Sequence, residues 1–122
     1  HGVADRIHFM RTNLLDGIAG PLDLVVANLP YIPSATLEEL LVAKFEPISA
    51  LDGGPQGLSL IEGLLNDARR WWTPGGVILL EIEAGQGESA PALARKLLPE
   101  ADISLLPDLA GLPRIVKIEN KR

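Results

Sequence analysis

The sequence contains no cysteine and only two histidines, His1 and His8. Disulfide bonds, thiolate metal sites and cysteine nucleophiles are therefore excluded. Structural and catalytic zinc sites depend largely on cysteine and histidine ligands, so we predict no metal site. A serine hydrolase triad also needs an imidazole at the site, and none of the serines lies in a Gly-x-Ser-x-Gly motif. Hydrolase chemistry therefore has little support.

Positive charge and long apolar runs are scarce as well. Eleven Lys and Arg residues stand against sixteen Asp and Glu residues, which leaves a net charge of −5. That balance disfavours a surface that holds nucleic acid through its phosphates, so we expect no direct nucleic-acid partner. No apolar run reaches the ~18 residues of a membrane helix, and no signal-peptide pattern opens the sequence. We expect a cytoplasmic protein with no membrane partner.

The remaining composition is that of a globular protein, with 47% hydrophobic and 22% charged residues. A length of 122 residues suits one domain or part of one. The sequence opens with His-Gly-Val-Ala-Asp instead of Met and runs almost at once into a strand-like stretch. We therefore expect residues 1–122 to be a single, incomplete domain.

Strand-like and helix-like segments alternate along the sequence. The apolar patterns predict strands over 6–10, 22–27, 77–82, 103–106 and 114–118, and helices over 36–45, 58–72 and 88–98. Such alternation is typical of an α/β fold with a largely parallel sheet. The connection between the last two strands is too short for a parallel crossover, so this closing pair is predicted to be antiparallel.

Two glycine-rich segments are candidate phosphate sites. Residues 85–90 fit Gly-x-Gly-x-x-Ala between a strand and a helix, which is the outline of a dinucleotide fingerprint. However, Glu88 lies where a helix start would have to accept a phosphate. Residues 52–57 lack the Lys and Ser/Thr of a Walker loop. We expect both segments to be turns, with nucleotide binding at 85–90 as a distant alternative.

The most informative motif is Asn28-Leu29-Pro30-Tyr31, which follows the apolar strand at 22–27. Open α/β sheets bind ligands at the carboxyl ends of their strands, so the motif lies where a site is expected. The Asn side chain offers one acceptor and one donor. Proline at positions 30 and 33 stiffens the segment.

Several further stretches accompany this motif in order. They are Phe45-Glu46-Pro47, the run 50–58, Pro74-Gly75-Gly76, Glu81-Ile82 with Gln86, and the run 108–114. Together with the segment 23–33, they make the sequence resemble the HemK-type methyltransferases, which methylate a glutamine of peptide-chain release factors. The resemblance extends from Asp5 to about Ile118.

The resemblance implies S-adenosylmethionine as cofactor and a peptide-chain release factor as partner. It makes Asn28, Leu29, Pro30 and Tyr31 the catalytic residues, and it places Asn13, Leu14 and Asn28 at the cofactor. It also implies a partial Rossmann-like sheet that lacks both the first two strands and the glycine-rich cofactor loop. Strand edges left unpaired by that loss are prone to pair with another copy, so the resemblance leads us to expect a dimer.

The sequence departs from the family pattern at two positions. Leu29 replaces a proline of the motif, but it keeps the backbone carbonyl that the resemblance makes an acceptor for the substrate amide. The Leu-Pro-Tyr form is also similar to that of rRNA adenine dimethyltransferases. Asn13 stands where the family commonly has an acid near the adenine of the cofactor, and it can accept a hydrogen bond without carrying charge.

Besides the distant alternative of nucleotide binding at 85–90, two alternatives to a glutamine methyltransferase stay open at this point. One is a nucleic-acid adenine N6-methyltransferase, against which the net charge of −5 and the Glu-Pro and Gly-Gly stretches weigh. The other is a non-catalytic α/β fragment that has lost the cofactor loop.

Overall fold

A four-stranded sheet with the order β1-β2-β4-β3 forms the centre of the structure. The structure is a computed structural model, and it describes residues 1–41 and 43–122 in full and only the backbone of Val42. The strands are β1 (Leu22–Ala27), β2 (Trp72–Glu81), β3 (Ala101–Pro107) and β4 (Pro113–Asn120). Strand β1 is parallel to β2, whereas β4 runs antiparallel to both β2 and β3. Three strands thus share one direction, which confirms the predicted mostly parallel α/β sheet and its antiparallel closing pair.

Two α-helices and several short 3-10 turns connect these strands. Helix α1 (Ser59–Ala68) leads into β2, and α2 (Ser89–Leu97) leads into β3. The 3-10 turns cover Ala4–Arg6, Ser34–Glu39, Leu41–Lys44, Ile48–Ala50 and Ala84–Gln86. Among the described residues, no helix has both the length and the apolar character that crossing a membrane requires.

The core lies between one face of the sheet and the two helices. Alternate residues of a strand point to opposite faces, and the burial of Ile78 and Leu80 in β2, and of Ile82 directly after it, therefore marks the covered face. The side chains packed there from the rest of the chain are Val25, Ile61, Leu64, Leu65, Ala68, Ala90, Ala94, Leu98, Val116 and Ile118. Their removal from water is the main favourable term in folding this chain.

The opposite face of the sheet is apolar but open to solvent near β1. Leu24 and Val26 are 59% and 69% exposed, and their register partners in β2 are Val77 and Leu79. The sheet order also leaves β1 paired on one side only. The edge of β1 therefore presents free backbone groups next to exposed aliphatic side chains.

The prediction of a strand over residues 6–10 is wrong. The chain forms a 3-10 turn over Ala4–Arg6, and residues 7–10 belong to no strand. Phe9 and Met10 are largely exposed. A strand is stabilised by its ladder and by packing of its side chains, and this segment gains neither within the described structure.

The two predicted helices at 36–45 and 58–72 are also corrected. Over 36–45 the chain makes 3-10 turns, because Leu40 is extended and the Thr36 hydroxyl donates to the Pro33 carbonyl instead of accepting as a cap. Helix α1 ends at Ala68, and Trp72 belongs to β2, where it is in register with Leu22. Pairing with β1 thus overrides the helical spacing of Trp72.

Candidate functional site

The Asn28-Leu29-Pro30-Tyr31 motif lies directly after β1, at the carboxyl end of the parallel pair β1–β2. Asn28 is exposed, whereas the three residues after it are partly buried. The four residues line one pocket of about 280 Å³ together with Ile32, Ala50 and Leu51. The structure thus brings the four predicted catalytic residues together beside a cavity.

A short parallel bridge holds the chain that follows the motif. Ile32 pairs with Asp52: the Ile32 amide donates to the Leu51 carbonyl at 3.0 Å, and the Gly53 amide donates to the Ile32 carbonyl at 2.8 Å. The Ser34 amide then donates to the Gly54 carbonyl at 3.0 Å. This isolated bridge and the bond from Ser34 to Gly54 therefore fix the path of the loop that follows β1.

The Asp52 carboxylate reinforces this bridge. One of its oxygens, Oδ1, accepts the Ser34 hydroxyl at 2.7 Å and the Gly54 amide at 2.9 Å. These two hydrogen bonds hold the pKa of Asp52 below its ordinary value, and the bond from Ser34 has the larger effect. Asp52 is therefore ionised at neutral pH and already hydrogen-bonded within the loop. A carboxylate with a lowered pKa is a weak base, so Asp52 is poorly suited to act as a general base.

Glycines 53 and 57 allow two backbone segments to touch. A Cβ atom at Gly53 would lie 2.8 Å from the Pro30 carbonyl oxygen, and one at Gly57 would overlap the Tyr31 carbonyl oxygen. Gly57 also has a φ of +71°, in the left-handed region that favours glycine. The segment 52–57 is thus a turn, as predicted, and its glycines form the surface on which the motif rests.

Gln86 joins the motif to this turn. Its side chain is buried, and its Nε2 donates to the Tyr31 carbonyl at 3.2 Å and to the Gly57 carbonyl at 3.1 Å. Its Oε1 accepts the Glu83 amide at 3.1 Å. Gln86 is one of the residues that carry the family resemblance, but no periodic pattern in the sequence indicates this structural role, because it is a single glutamine in a glycine-rich turn.

The dinucleotide interpretation of residues 85–90 finds no support in the geometry. The segment opens with a 3-10 turn over Ala84–Gln86, and the Glu83 carboxylate accepts the Gly85 amide at 2.7 Å. Glu83 and Gln86 together form a capping box. A backbone amide that a phosphate would require is therefore already bonded to an anion of the protein.

The predicted cofactor residues Asn13 and Leu14 lie in a separate turn. The Asn13 carbonyl accepts the Asp16 amide at 2.9 Å, and the Asn13 side chain is exposed. Leu14 has a φ of +51°, unusual for a residue other than glycine, and its side chain packs against Gly63 of α1. The turn is thus anchored through Leu14 while the Asn13 amide faces solvent.

Tyr31 borders a second pocket of about 400 Å³. Its lining includes Pro33 and Leu40 on the apolar side and Glu83 and Ser89 on the polar side. Tyr31 also lines the pocket at Asn28, so this residue borders both cavities. Among residues with described side chains, no group of three or more His, Asp or Glu is arranged to hold a metal ion.

We expect Gly57→Ala to destabilise the protein more than Gly75→Ala. Both glycines are left-handed, with φ of +71° and +75°, so both substitutions carry the strain of about 1–2 kcal/mol for that conformation. Only at Gly57 would the new Cβ overlap the Tyr31 carbonyl oxygen, which adds roughly 1–3 kcal/mol. Urea denaturation measures both free energies, and equal losses would contradict the contact.

Asp52 is expected to make loop stability depend on pH. Its pKa is lower in the folded state, so its stabilising contribution is complete above the ordinary aspartate pKa and is lost as the pH falls through the lowered value. Asp52→Asn keeps an acceptor that does not titrate. Urea denaturation from about pH 7 to about pH 3 should show the stability difference between parent and variant shrinking at the acid end. A difference that stays constant across this range would exclude the linkage.

Comparison with known proteins gives a consistent set of relatives, although no family model matches the chain. A release factor glutamine methyltransferase of Gloeobacter violaceus is 39% identical over 119 residues, covering 95% of this chain and 42% of the relative. Proteins of the same name from Bradyrhizobium diazoefficiens and Moorella thermoacetica are 38% and 41% identical, covering 94% and 93% of this chain and 39% and 41% of the relatives. The chain thus spans about two fifths of the length of these curated relatives.

Solved structures share the fold. The Mtq2–Trm112 complex of E. cuniculi, described as responsible for methylation of the eRF1 translation termination factor, matches with a TM-score of 0.62 at 22% identity, over 91% of this chain and 60% of that chain. A methyltransferase from Pyrococcus furiosus matches with a TM-score of 0.56 at 19% identity, over 85% of this chain and 43% of that chain. By its sequence, the chain is a homologue of the release factor glutamine methyltransferases.

Proposed function

We propose that the protein containing this chain transfers a methyl group from S-adenosylmethionine to the side-chain amide nitrogen of a glutamine in a peptide-chain release factor. The observation that carries the proposal is the Asn28-Leu29-Pro30-Tyr31 motif, held beside a pocket at the carboxyl end of β1. The names of the relatives at 38–41% identity support the same reaction. Residues 1–122 are then part of the catalytic domain, and the site of action is the cytoplasm.

Asn28 and Leu29 supply the two acceptors that an amide substrate needs. The exposed Asn28 side chain offers its oxygen to one N–H of the glutamine amide. The Leu29 carbonyl takes the other N–H, and this acceptor does not depend on the identity of residue 29. Two such bonds hold the nitrogen in one orientation, which is the main requirement for in-line methyl transfer.

The chemistry depends on alignment and electrostatics. When bound, S-adenosylmethionine supplies a methyl group that is strongly electrophilic because its sulfur is positively charged. An amide nitrogen is a weak nucleophile, so its lone pair must be directed and the charge that develops on it stabilised. The acceptor oxygens of Asn28 and Leu29 stabilise that charge, while Pro30 and Tyr31 pack beside the amide and exclude water.

The departing proton does not require a base from this loop. Asp52, the carboxylate that contacts the loop, is already bonded to Ser34 and Gly54, and its pKa is lowered. After methyl transfer the substituted amide is strongly acidic, so solvent can take the proton. The scarcity of free acid–base groups around the motif therefore suits the reaction.

Asn13, Leu14 and Asn28 are proposed to contact the cofactor. The exposed side chain of Asn13 fits a donor such as an adenine amine, which needs an acceptor without needing a charge. Leu14, anchored against α1, fixes the turn that presents Asn13. Asn28 then lies at both cofactor and substrate.

Asn28→Ala, in the gene product that contains this chain, is expected to lower kcat on the order of 10²-fold, because it removes one preorganised acceptor. Methyl transfer from labelled S-adenosylmethionine to a purified release factor measures the effect. The matched control is Asn66→Ala, an exposed asparagine on α1. A loss below about threefold would contradict a role of Asn28 in the reaction.

Methylation of adenine in an oligonucleotide, with no methylation of the release factor, would overturn the proposed substrate.

We further propose that residues 1–122 on their own form a dimer through the edges of β1. Antiparallel pairing centred on Val25 would place Leu24 of each copy opposite Val26 of the other, on the open face of the sheet. This pairing would bring two side chains that are 59% and 69% exposed into cross-strand contact and so lower their exposure to water. It would also place Asp23 opposite Ala27, with no like charges facing each other.

Light scattering across micromolar concentrations should give the mass of a dimer for the parent and of a monomer for Val26→Lys. The control is Leu109→Lys, which places the same charge on a fully exposed loop residue. A monomeric parent would overturn this pairing.

A further inference from the structure

Three segments of the chain meet at the side chain of Gln86. They are the end of the Asn28–Tyr31 motif, the glycine turn at 53–57, and the turn after β2 that contains Gln86 itself. The side-chain amide donates to one carbonyl in each of the first two segments, and its oxygen accepts an amide in the third. All the polar atoms of this buried side chain therefore have partners.

The carbonyls of Tyr31 and Gly57 both lie within hydrogen-bond distance of one nitrogen, the Nε2 of Gln86. A Cβ atom placed on Gly57 would overlap the Tyr31 carbonyl oxygen and would lie 2.8 Å from the Nε2 of Gln86. Two carbonyl dipoles in one small space need a donor between them. Nε2 supplies one N–H to each, so the contact between the motif and the glycine turn becomes favourable.

The position of Gln86 is itself determined by bonds outside the motif. The capping box with Glu83 fixes the turn that carries it. The preceding residue, Ile82, is held at its carbonyl by Nη1 of Arg114 at 3.2 Å, and its amide donates to the Arg114 carbonyl at 2.9 Å. Gln86 is thus held in place next to the paired strands β2 and β4, and it in turn holds the loop that contains Tyr31, which belongs to neither strand.

We propose that Gln86 is a positioning residue for methyl transfer, which holds the Tyr31 peptide and thereby the orientation of the Asn28 and Leu29 acceptors. This inference rests on the proposed function. Gln86 acts through the Tyr31 carbonyl, two residues after Leu29. That carbonyl and the Ile32 N–H belong to one peptide group, whose N–H donates to the Leu51 carbonyl in the Ile32–Asp52 bridge. Loss of its amide leaves the buried Gly57 carbonyl and the partly buried Tyr31 carbonyl without this donor and frees the end of the motif.

Gln86→Leu and Gln86→Glu test the proposal in complementary ways. Leucine is of similar size and removes the donors without adding charge, whereas glutamate retains the acceptor for Glu83 but sets an oxygen against two carbonyls. Asn66→Asp is the matched control for the second variant, because it makes the same amide-to-carboxylate change on an exposed residue.

The first readout is hydrogen exchange of the Ile32 and Gly53 amides in chain 1–122, which requires no activity. Both Gln86 variants should raise these two rates on the order of tenfold, while the exchange of Leu65 in α1 stays at the parent value. Unchanged rates at Ile32 and Gly53 would overturn the proposal. If Leu65 also exchanges faster in Gln86→Glu, the whole fold is loosened, and Gln86→Leu then decides.

The second readout is methyl transfer by the gene product that contains this chain. We expect kcat to fall on the order of tenfold or more, with KM for the release factor changed less than about twofold, since misorientation acts in the transition state. Faster exchange with an unchanged kcat would overturn the positioning role. A parent protein that does not methylate a release factor would instead overturn the proposed function, while the exchange data would still show Gln86 holding the loop.

Discussion

The contact between the backbone of Pro30–Tyr31 and the turn at 53–57 is the constraint on which the candidate site depends. Only glycine allows such an approach, because any Cβ at positions 53 or 57 would meet a carbonyl oxygen of the motif. The Ile32–Asp52 bridge, the Ser34 hydroxyl and the Gln86 amide all act across this one contact. The path of the Asn28–Tyr31 segment is therefore held by contacts from several parts of the chain. Under the proposed function, these contacts fix the two acceptors for the substrate amide.

The two carboxylates next to the contact between the motif and the glycine turn are hydrogen-bonded within the protein. Asp52 is used to tie Ser34 to Gly54, and Glu83 is used to cap the turn that carries Gln86. Asn28, in contrast, is exposed at the end of β1. Under the proposed function, carboxylates that are bonded within the loops and an exposed neutral acceptor suit recognition of an uncharged N–H donor better than acid–base catalysis.

The sheet explains why these parts lie together. Parallel pairing of β1 with β2 puts the ends of both strands at one edge, so the loop after Ala27 meets the turn after Glu81. Helix α1 covers one face of the sheet and packs against the Leu14 turn, whereas Leu24 and Val26 on the other face remain in water. The site edge is thus well packed, while the outer edge of β1 has free backbone groups and an apolar surface.

The sequence alone determined the elements that have strong local patterns. The strand at 22–27, the helix at 88–98 and the antiparallel closing pair could be predicted, because continuous apolar runs, helical spacing and short connections leave few alternatives. The place of Asn28–Tyr31 at the end of β1 followed from that strand, whereas the catalytic role of the motif stays a prediction. The tertiary structure alone decided the rest. Trp72 joined β2 because it pairs with Leu22, residues 7–10 formed no strand because they gain no ladder, and Gln86 became the link between three segments. Each of these outcomes depends on a partner distant along the chain, and local propensity contains no information about which distant group will arrive.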